Sequence, residues 1–382
     1  MAEAVEIATT AARGAVQLFT ARIFSRLIAF IGTLVLIRLL GPENYGLIAV
    51  AMVFPNLLLV LEDPYSGISS ATTKYLAEYR SNGQLGKLKP IIVSAFTFHL
   101  FLSLGLTAFC FVAAGVFTSI LGKPEVAPLI RVASLTVLAW ALFYFSISVF
   151  MGLDAMINYA ILMIVYDAFK AVLPVGLVLI GMGVLGAVMG TVIGFIFASS
   201  LGVVLVIMVM RKIAKPRCSI ANREALKQQL SYGSPLILAS LIGTGASNYY
   251  AFLMAAFCAL KDIGDYKAAF TMTLPLYYIS LPIREVLFPA LSKLGFEKNS
   301  KAMESVFRYS VKYSSLLILP VATLTSLFAK PIIQSLFGAK YEGAWPYLLL
   351  LAATWLLEGL GAGQLTNLLM SQGQTQVITK LS

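Results

Sequence analysis

The sequence predicts an all-α fold, a polytopic bundle of membrane-spanning helices, and two observations carry that prediction. Of the 382 residues, 59% are hydrophobic and only 12% are charged, whereas a soluble domain carries roughly 25% charged residues. The apolar runs have a length of about 20 residues, which suits a helix that crosses a bilayer. Helices also satisfy their own backbone hydrogen bonds in lipid. We therefore expect an integral membrane protein.

Ten hydrophobic segments follow one another along the chain, and each is a candidate span. They lie at 15–40, 45–64, 90–120, 127–151, 157–180, 183–210, 232–257, 266–290, 308–328 and 344–370. Only the sequence Gly-Met-Gly separates the fifth from the sixth, so we expect a tight helical hairpin there. Gly186, Gly190 and Gly194 recur every four residues in the sixth segment, a spacing that permits close contact between helices.

Basic residues are concentrated in alternate loops. One set of loops holds Arg80, Lys87, Lys89, Arg211, Lys212, Lys215, Arg217, Arg223, Lys227, Lys293, Lys298, Lys301, Arg308 and Lys312. In the opposite loops, fewer lysines are interspersed with acidic residues. By the positive-inside rule the first set is cytoplasmic, which predicts a multi-pass protein of the cell membrane with its N-terminus inside. The net charge of +11 therefore reflects topology, and we expect no nucleic-acid partner.

Little in the sequence suits metal or catalytic chemistry. Cys110, Cys218 and Cys258 lie far apart with no metal-binding spacing, so we expect no metal, no cofactor and no disulfide framework. A membrane glycosyltransferase or polymerase would need acidic catalytic residues in sizeable outer loops. The largest outer loop, 329–343, offers only Glu342. We therefore expect no enzyme and no catalytic residues, and we keep such an enzyme only as the weakest alternative.

An internal repeat relates the two parts of the chain. Residues 39–55 resemble residues 260–276, and residues 117–125 resemble residues 333–342. Segments seven to ten therefore repeat segments one to four in the same orientation. Parallel repeats of this kind are typical of transporters, with the substrate site where the repeats meet.

The repeat predicts two pseudo-symmetric halves of about six spans. We expect a six-span half at 1–210, a basic cytoplasmic linker at 211–231 and a second half at 232–382 that is incomplete, with about four spans. Counterparts of the fifth and sixth spans are missing from that second half. We interpret the chain as a C-terminally truncated form of a protein with at least twelve spans.

The first span and the loop after it carry the pattern of a known family. Residues 21–51 read ARIFSRLIAFIGTLVLIRLLGPENYGLIAVA, and the pattern R-x-L-G-P-x-x-Y-G is matched by Arg38, Leu40, Gly41, Pro42, Tyr45 and Gly46. The stretch resembles the opening of the Wzx-type polysaccharide flippases of the multidrug/oligosaccharidyl-lipid/polysaccharide exporter (MOP) superfamily. Later stretches at 67–79, 264–274, 288–293 and 336–352 resemble that family as well.

The resemblance implies a MATE-like, V-shaped transporter whose halves line a central cavity and work by alternating access. It implies a flippase that translocates polyprenyl-diphosphate-linked oligosaccharide for cell-surface polysaccharide biosynthesis. The partners would be that lipid-linked substrate, membrane lipids, and glycosyltransferases or a polymerase of the same pathway. Two positions depart from relatives. Gly32 and Thr33 replace the Arg-Asp pair usual in lipid II flippases, and Asn248 stands where many relatives carry an acidic residue.

Two arginines interrupt the apolar first span. At about 100° per residue, Arg22, Arg26 and Thr33 fall on one helix face. Arg26 lies about 14 residues, or about 21 Å, from the outer end of the span. Guanidinium groups suit bidentate contacts with phosphate, so we expect Arg22 and Arg26 to bind the diphosphate of the carrier. The alternative is that they anchor the span to inner-leaflet headgroups.

A polar stripe marks the eighth span, formed at helical spacing by Thr273, Tyr277, Ser280 and Arg284. We expect Arg284 to contact the diphosphate as well; the alternative is an ion pair with its neighbour Glu285. The expected cavity lining comprises Thr33, Asn248, Thr273, Tyr277 and Ser280.

Three carboxylates, Asp63, Asp167 and Glu358, are candidates for coupling transport to a cation or proton. Asp167 and Lys170 are three residues apart and can pair as a neutral structural unit. Glu358 has no local partner in the sequence, and it would either couple to protons or line a wet cavity. These carboxylates keep open the alternative of a cation-coupled multidrug antiporter of the same superfamily, whose cavity would be acidic.

Overall fold

Helices make up the described part of the chain. The computed structural model describes the backbone of residues 2–62, 67–213, 221–294 and 300–371, and within these ranges it describes all side chains except those of residues 2–24, 62, 238–239, 242–247, 281–294, 300–302, 366–367 and 369–371. Every regular element in these ranges is a helix, which confirms the all-α prediction. Two compact units divide the chain after Leu260.

The first unit is built around a long, apolar set of helices. In the described ranges it holds α1 (Ala2–Ala51), α2 (Val53–Leu58), α3 (Gly67–Ser81), α4 (Leu88–Ile120), α5 (Ala127–Ala133), α6 (Leu135–Gly152), α7 (Met156–Leu177), α8 (Gly183–Lys212) and α9 (Asn222–Phe257). Its core is centred on α6, where Phe143, Phe145 and Phe150 are almost fully buried.

The second unit is smaller. Its helices are α10 (Leu260–Leu294), which begins at the division, α11 (Ser300–Leu327), α12 (Ala329–Phe337), α13 (Ala344–Gly359) and α14 (Ala362–Ser371). Leu276 of α10 packs with Ile318 and Ala322 of α11, and Trp355 of α13 covers this cluster.

Five stretches within the described residues are long and apolar enough to cross a membrane. They are Ser25–Leu61, Leu85–Ile120, Pro124–Gly152, Met156–Lys212 and Met303–Leu327. The stretch Met156–Lys212 contains the predicted fifth and sixth segments together. The predicted segments 232–257, 266–290 and 344–370 fall within helices α9, α10 and α13–α14.

The hairpin of α7 and α8 forms because small residues let two backbones meet. A Cβ atom added at Gly190 would lie 2.5 Å from the Cα and the backbone nitrogen of Pro174. One turn earlier, a Cβ atom at Gly186 would lie 3.0 Å from the carbonyl oxygen of Leu177. The four-residue glycine spacing therefore marks the contact face of α8, as the sequence predicts.

The two stretches aligned by the internal repeat share a backbone turn. Gly122 follows α4 with φ 66°, and Gly338 follows α12 with φ 84°. Each glycine is followed by a short 3-10 helix, Pro124–Val126 in one case and Ala339–Tyr341 in the other. Glycine adopts positive φ without steric cost, which explains its presence at both positions.

Helix α9 is tied to α3 and α4 by a buried amide. Gln229 is fully buried, and its Nε2 donates to Thr72 Oγ1 and to the carbonyl oxygen of Ile91, both at 3.1 Å. Ser94 Oγ donates to Gln229 Oε1 at 2.9 Å. Buried polar groups need such partners, since each unpaired one costs about 1–3 kcal/mol.

The other end of α9 is held by a lysine. Lys123 Nζ donates to the carbonyl oxygens of Ala255 and Cys258, where α9 ends. A cation is favourable at a helix C-terminus. Helix α9 therefore packs as part of the first unit. The sequence repeat assigns its residues from 232 onward to the second half, so the boundary of the compact units differs from that of the repeat. The two halves remain a prediction from the sequence repeat.

Asp265 is a buried carboxylate near the start of α10. Its side chain is 1% exposed, and its Oδ1 has no hydrogen-bond partner among the described residues. It lies against Gly343, the residue that precedes α13. Burial raises the pKa of Asp265 to about 6, and the nearby Lys261 opposes part of that rise. The position lies just before the apolar segment 266–290.

We expect Gly190→Ala to destabilise the protein. The new methyl group would clash with the backbone of α7, and overpacking of this kind costs about 1–3 kcal/mol. Thermal unfolding in detergent measures the effect. Gly115→Ala on α4 is the matched control, because nothing lies within 4 Å of its added Cβ atom. Equal loss of stability in both variants would contradict the close contact of α7 and α8.

We expect Asp265→Asn to raise the melting temperature at pH 8 and much less at pH 4.5. The pKa of Asp265 is raised in the folded protein to about 6 from 3.8. Native stability therefore falls as the pH rises through that window and stays low above it. Asparagine removes the charge at every pH. Asp262→Asn, at an exposed position one turn away, should change little; a gain for Asp265→Asn that does not depend on pH would contradict the assignment.

Candidate functional site

An ion pair joins the first span to the fifth. Arg26 Nη1 of α1 lies 3.6 Å from Asp167 Oδ1 of α7. The Asp167 side chain is fully buried, whereas that of Arg26 is 39% exposed. A charge inside a membrane bundle is stabilised by such a partner or by a wet cavity. The pair therefore anchors one side of the guanidinium in protein and leaves another side open.

The backbones of α1 and α7 meet just beyond this pair. A Cβ atom added at Gly32 would lie 2.5 Å from both the Cα and the Cβ atom of Ala171. The two contacts, Arg26 with Asp167 and Gly32 with Ala171, advance in the same direction along both helices, so the helices run parallel. Position 32 therefore has no room for a side chain.

Thr33 lies next to this contact and is half-buried. Its Oγ1 donates to the carbonyl oxygen of Ala29 at 2.8 Å, within its own helix.

The ion-pair partner of Asp167 in the structure differs from the one that the sequence suggests. There, Lys170 on the same helix is the candidate; in the structure Lys170 Nζ lies 5.7 Å from the centroid of the Tyr166 ring, and Arg26 pairs with Asp167.

In the second unit, two helices present matching pairs of polar and aromatic residues. Ser280 Oγ of α10 donates to Glu358 Oε1 of α13 at 3.2 Å. Three residues earlier on each helix, the rings of Tyr277 and Trp355 meet edge to face, with centroids 6.5 Å apart and planes at 73°. Glu358, which has no local partner in the sequence, thus has one on another helix.

The stripe predicted on the eighth span is only partly open. Tyr277 is 42% exposed, whereas Ser280 is 1% exposed and faces Glu358. Thr273 is buried, and its Oγ1 donates to the carbonyl oxygen of Phe270 at 2.8 Å. Among the three described residues of the stripe, Tyr277 is therefore the one that presents an open surface.

Three predicted site residues, Arg22, Arg284 and Asp63, lie outside the side chains that the structure describes. Arg22 lies on α1 and Arg284 on α10, in parts of those helices where the structure describes the backbone alone. Asp63 lies outside the described residues. Asn248 is half-buried on α9, beside the exposed rings of Tyr249 and Tyr250. Their proposed roles stay predictions.

The sequence analysis did not identify two residues that make contacts between helices, Trp355 beside Tyr277 and the buried Gln229. Trp355 precedes Glu358 by three residues, a helical spacing that could have linked them. For Gln229 no signal existed, because its partners Thr72 and Ser94 lie more than 130 residues away in the sequence. In the parts of the chain that the structure describes, no group of three or more His, Cys, Asp or Glu residues could hold a metal ion.

Comparison with known sequences identifies relatives among membrane proteins. Residues 35–346 match the profile of the family described as polysaccharide biosynthesis protein. The chain is 23% identical over 339 residues to the succinoglycan biosynthesis transport protein ExoT of Rhizobium meliloti, covering 85% of this chain and 62% of that protein. It is 29% identical over 195 residues to an uncharacterized membrane protein of Methanocaldococcus jannaschii, covering 47% of this chain and 35% of that protein. The chain thus spans less than two thirds of each relative.

Solved structures with the same fold are transporters of the MOP superfamily. A multidrug resistance MATE family transporter in its inward-facing conformation has a TM-score of 0.71 at 16% identity, covering 94% of this chain and 85% of that one. A MOP superfamily transporter from Pyrococcus furiosus, described as having a binding pocket of reverse polarity, has a TM-score of 0.55 at 17% identity, covering 94% and 84%. At these identities the likeness shows the fold alone.

The sequence resemblance is thereby confirmed. Because the family profile spans most of the chain, the protein belongs to the polysaccharide biosynthesis protein family, and its helical fold is MATE-like.

Proposed function

We propose that the protein is a flippase that moves polyprenyl-diphosphate-linked oligosaccharide across the cytoplasmic membrane by alternating access. Family membership and the named transport role of the Rhizobium relative support the proposal. The observation that carries it is the half-open guanidinium of Arg26, held in the apolar first span by the buried carboxylate of Asp167.

A diphosphate is the ligand that best fits this arrangement. A guanidinium offers N–H donors in a planar fork that matches phosphate oxygens, and such charge-assisted contacts are among the strongest hydrogen bonds. Asp167 stabilises the cation on its buried side. The exposed part of Arg26 then meets an anionic headgroup, while the lipid chain stays in the bilayer.

Further basic residues extend the same role. Arg22 precedes Arg26 by one helical turn and falls on the same face, so both would engage the diphosphate. Arg284 on α10 would add a third cation. With the N-terminus in the cytoplasm, Arg22 and Arg26 lie in the inner half of the membrane, where a substrate made in the cytoplasm arrives.

The cation-coupled antiporter is the second candidate, favoured by the carboxylates Asp167 and Glu358. However, Asp167 is paired with a cation, and Arg26 would repel a cationic drug. We propose that the protein is not an enzyme and that glycosyltransferases or a polymerase of the same pathway are its partners. Asp63, Asp167 and Glu358 remain the proposed coupling groups, with no ion assigned.

We expect Arg26→Ala to reduce flipping by about 10- to 100-fold, since a hydrogen bond to a charged group contributes about 1.5–3 kcal/mol. Arg26→Lys keeps the charge without the fork and should retain part of the activity. The assay uses proteoliposomes that hold a fluorescent short-chain polyprenyl-diphosphate sugar, and an impermeant sugar-modifying enzyme reports its transfer between leaflets. Arg22→Ala and Arg284→Ala should act in the same direction.

Stability must be separated from ligand binding in this test. Arg26→Ala alone leaves Asp167 buried without its cation, so the double variant Arg26→Ala/Asp167→Asn should recover thermal stability while flipping stays lost. Arg131→Ala, which removes an exposed arginine from α5, is the control and should flip normally. Full flipping by the arginine variants would make them membrane anchors, and proton-driven dye efflux without lipid transfer would support the antiporter.

The native cysteines test the proposed orientation. With the N-terminus in the cytoplasm, Cys218 in the basic linker should react with an impermeant maleimide from the cytoplasmic side only. Cys258, half-buried at the end of α9, should react only from outside, and the fully buried Cys110 should not react. Cys218→Ser and Cys258→Ser identify each signal in inside-out and right-side-out vesicles. Labelling of Cys218 from outside would overturn the proposed topology.

A further inference from the structure

The face shared by α10 and α13 has the composition of a sugar site. Tyr277 and Trp355 form one pair across it, and Ser280 and Glu358 form the next. The two pairs are three residues apart on both helices, so they are stacked along one shared seam. A carboxylate thus lies directly beside two aromatic rings.

The spans predicted from the sequence put this face deep in the membrane. Tyr277 is 11 residues from the start of segment 266–290, and Trp355 is 11 residues from the start of segment 344–370. At about 1.5 Å per residue these positions are roughly 16 Å from the outer end, close to the middle of the hydrocarbon core. A carboxylate at that depth faces a bundle interior or water and not lipid. The Glu358 carboxylate therefore faces the bundle interior or water, and the adjacent Tyr277 is 42% exposed.

The Trp355 side chain packs on a buried apolar cluster. Leu276, Ile318 and Ala322 are at most 1% exposed, and Trp355 packs against this cluster. Ser280 donates to Glu358 and fixes one of its carboxylate oxygens. Preorganised groups of this kind lose little conformational entropy when a ligand binds.

We propose that Tyr277, Trp355 and Glu358 bind a neutral hexose ring of the transported lipid, a role that rests on the proposed flippase function. The apolar face of a pyranose ring packs on aromatic side chains, which combine an apolar body with a polar edge. Its hydroxyl groups donate to the carboxylate of Glu358. The four residues of this face include no cation that would pair with an acidic sugar. Apolar walls with few polar groups are the usual form of small-ligand sites.

The test compares two probes in nanodiscs: farnesyl diphosphate, and farnesyl diphosphate that carries one glucose or galactose. We expect the wild-type protein to bind the glycosylated probe more tightly. Trp355→Leu and Tyr277→Leu should each weaken binding of the glycosylated probe about 3- to 10-fold, which corresponds to an aromatic contact of about 0.5–1.5 kcal/mol. Neither should change the affinity for farnesyl diphosphate. Trp355→Phe should retain most of the preference.

Trp345→Leu is the matched control. Trp345 lies on the same helix, ten residues nearer its start and on a different face, so both probes should bind it as they bind the wild type. Glucose-dependent quenching of tryptophan fluorescence should be lost in Trp355→Phe and kept in Trp345→Phe. Thermal unfolding of each variant identifies any loss of probe binding that is due to misfolding. If Trp355→Leu does not fold, Tyr277→Leu still tests the proposal.

The outcomes distinguish this inference from the function on which it rests. Arg284→Ala, which removes the arginine proposed for the diphosphate on the same helix as Tyr277, should weaken both probes equally, and this result supports the diphosphate role alone. If both probes bind the wild type and Trp355→Leu changes both or neither, the hexose site is wrong and the flippase proposal stands. If the wild type binds neither probe, the proposed function fails and the hexose site fails with it.

Discussion

Hydrocarbon solvates neither a charge nor an unpaired polar group, and the arrangement of helices in both units follows from that constraint. Helices satisfy the backbone and some hydroxyl side chains such as Thr33, but a charged side chain inside a unit is stabilised by a partner on another helix. Arg26 meets Asp167 across α1 and α7, and Glu358 meets Ser280. Outside the predicted spans, the buried Gln229 meets Thr72 and Ser94 for the same reason. Between these contacts, small residues such as Gly190 bring backbones together. The polar contacts specify which helices are neighbours, and the small residues set how closely they approach.

The helices were largely predictable from sequence, because apolar length and glycine spacing are local properties. Apolar runs mark the spans, and Gly186, Gly190 and Gly194 mark the packing face of α8. Partners between helices were not predictable, since spacing reports only neighbours three or four residues apart. For this reason Lys170 was the candidate partner of Asp167, and Glu358 had none. The loop lysine Lys123 likewise gave no sign that it holds the end of α9.

The candidate site shows the same limit. Periodicity places Thr273, Tyr277 and Ser280 on one stripe, but it cannot say which of them a neighbouring helix covers. In the structure α13 covers Ser280, while Tyr277 keeps an open surface and gains Trp355 as a neighbour. Arg26 could be identified as a site residue from the sequence alone, because an arginine within an apolar span is rare. Its buried counter-ion required the fold.

The distance in sequence between polar partners has a consequence for biosynthesis. Ser94 and Gln229 are separated by 135 residues, and Thr72 and Gln229 by 157. A ribosome that adds roughly 5–20 residues per second needs on the order of ten seconds to cover such an interval. During that time α3 and α4 have been made and α9 has not. Likewise, Arg26 is synthesised well before its ion-pair partner Asp167. The early helices must therefore be sheltered, by lipid headgroups or by the insertion machinery, until their partners emerge.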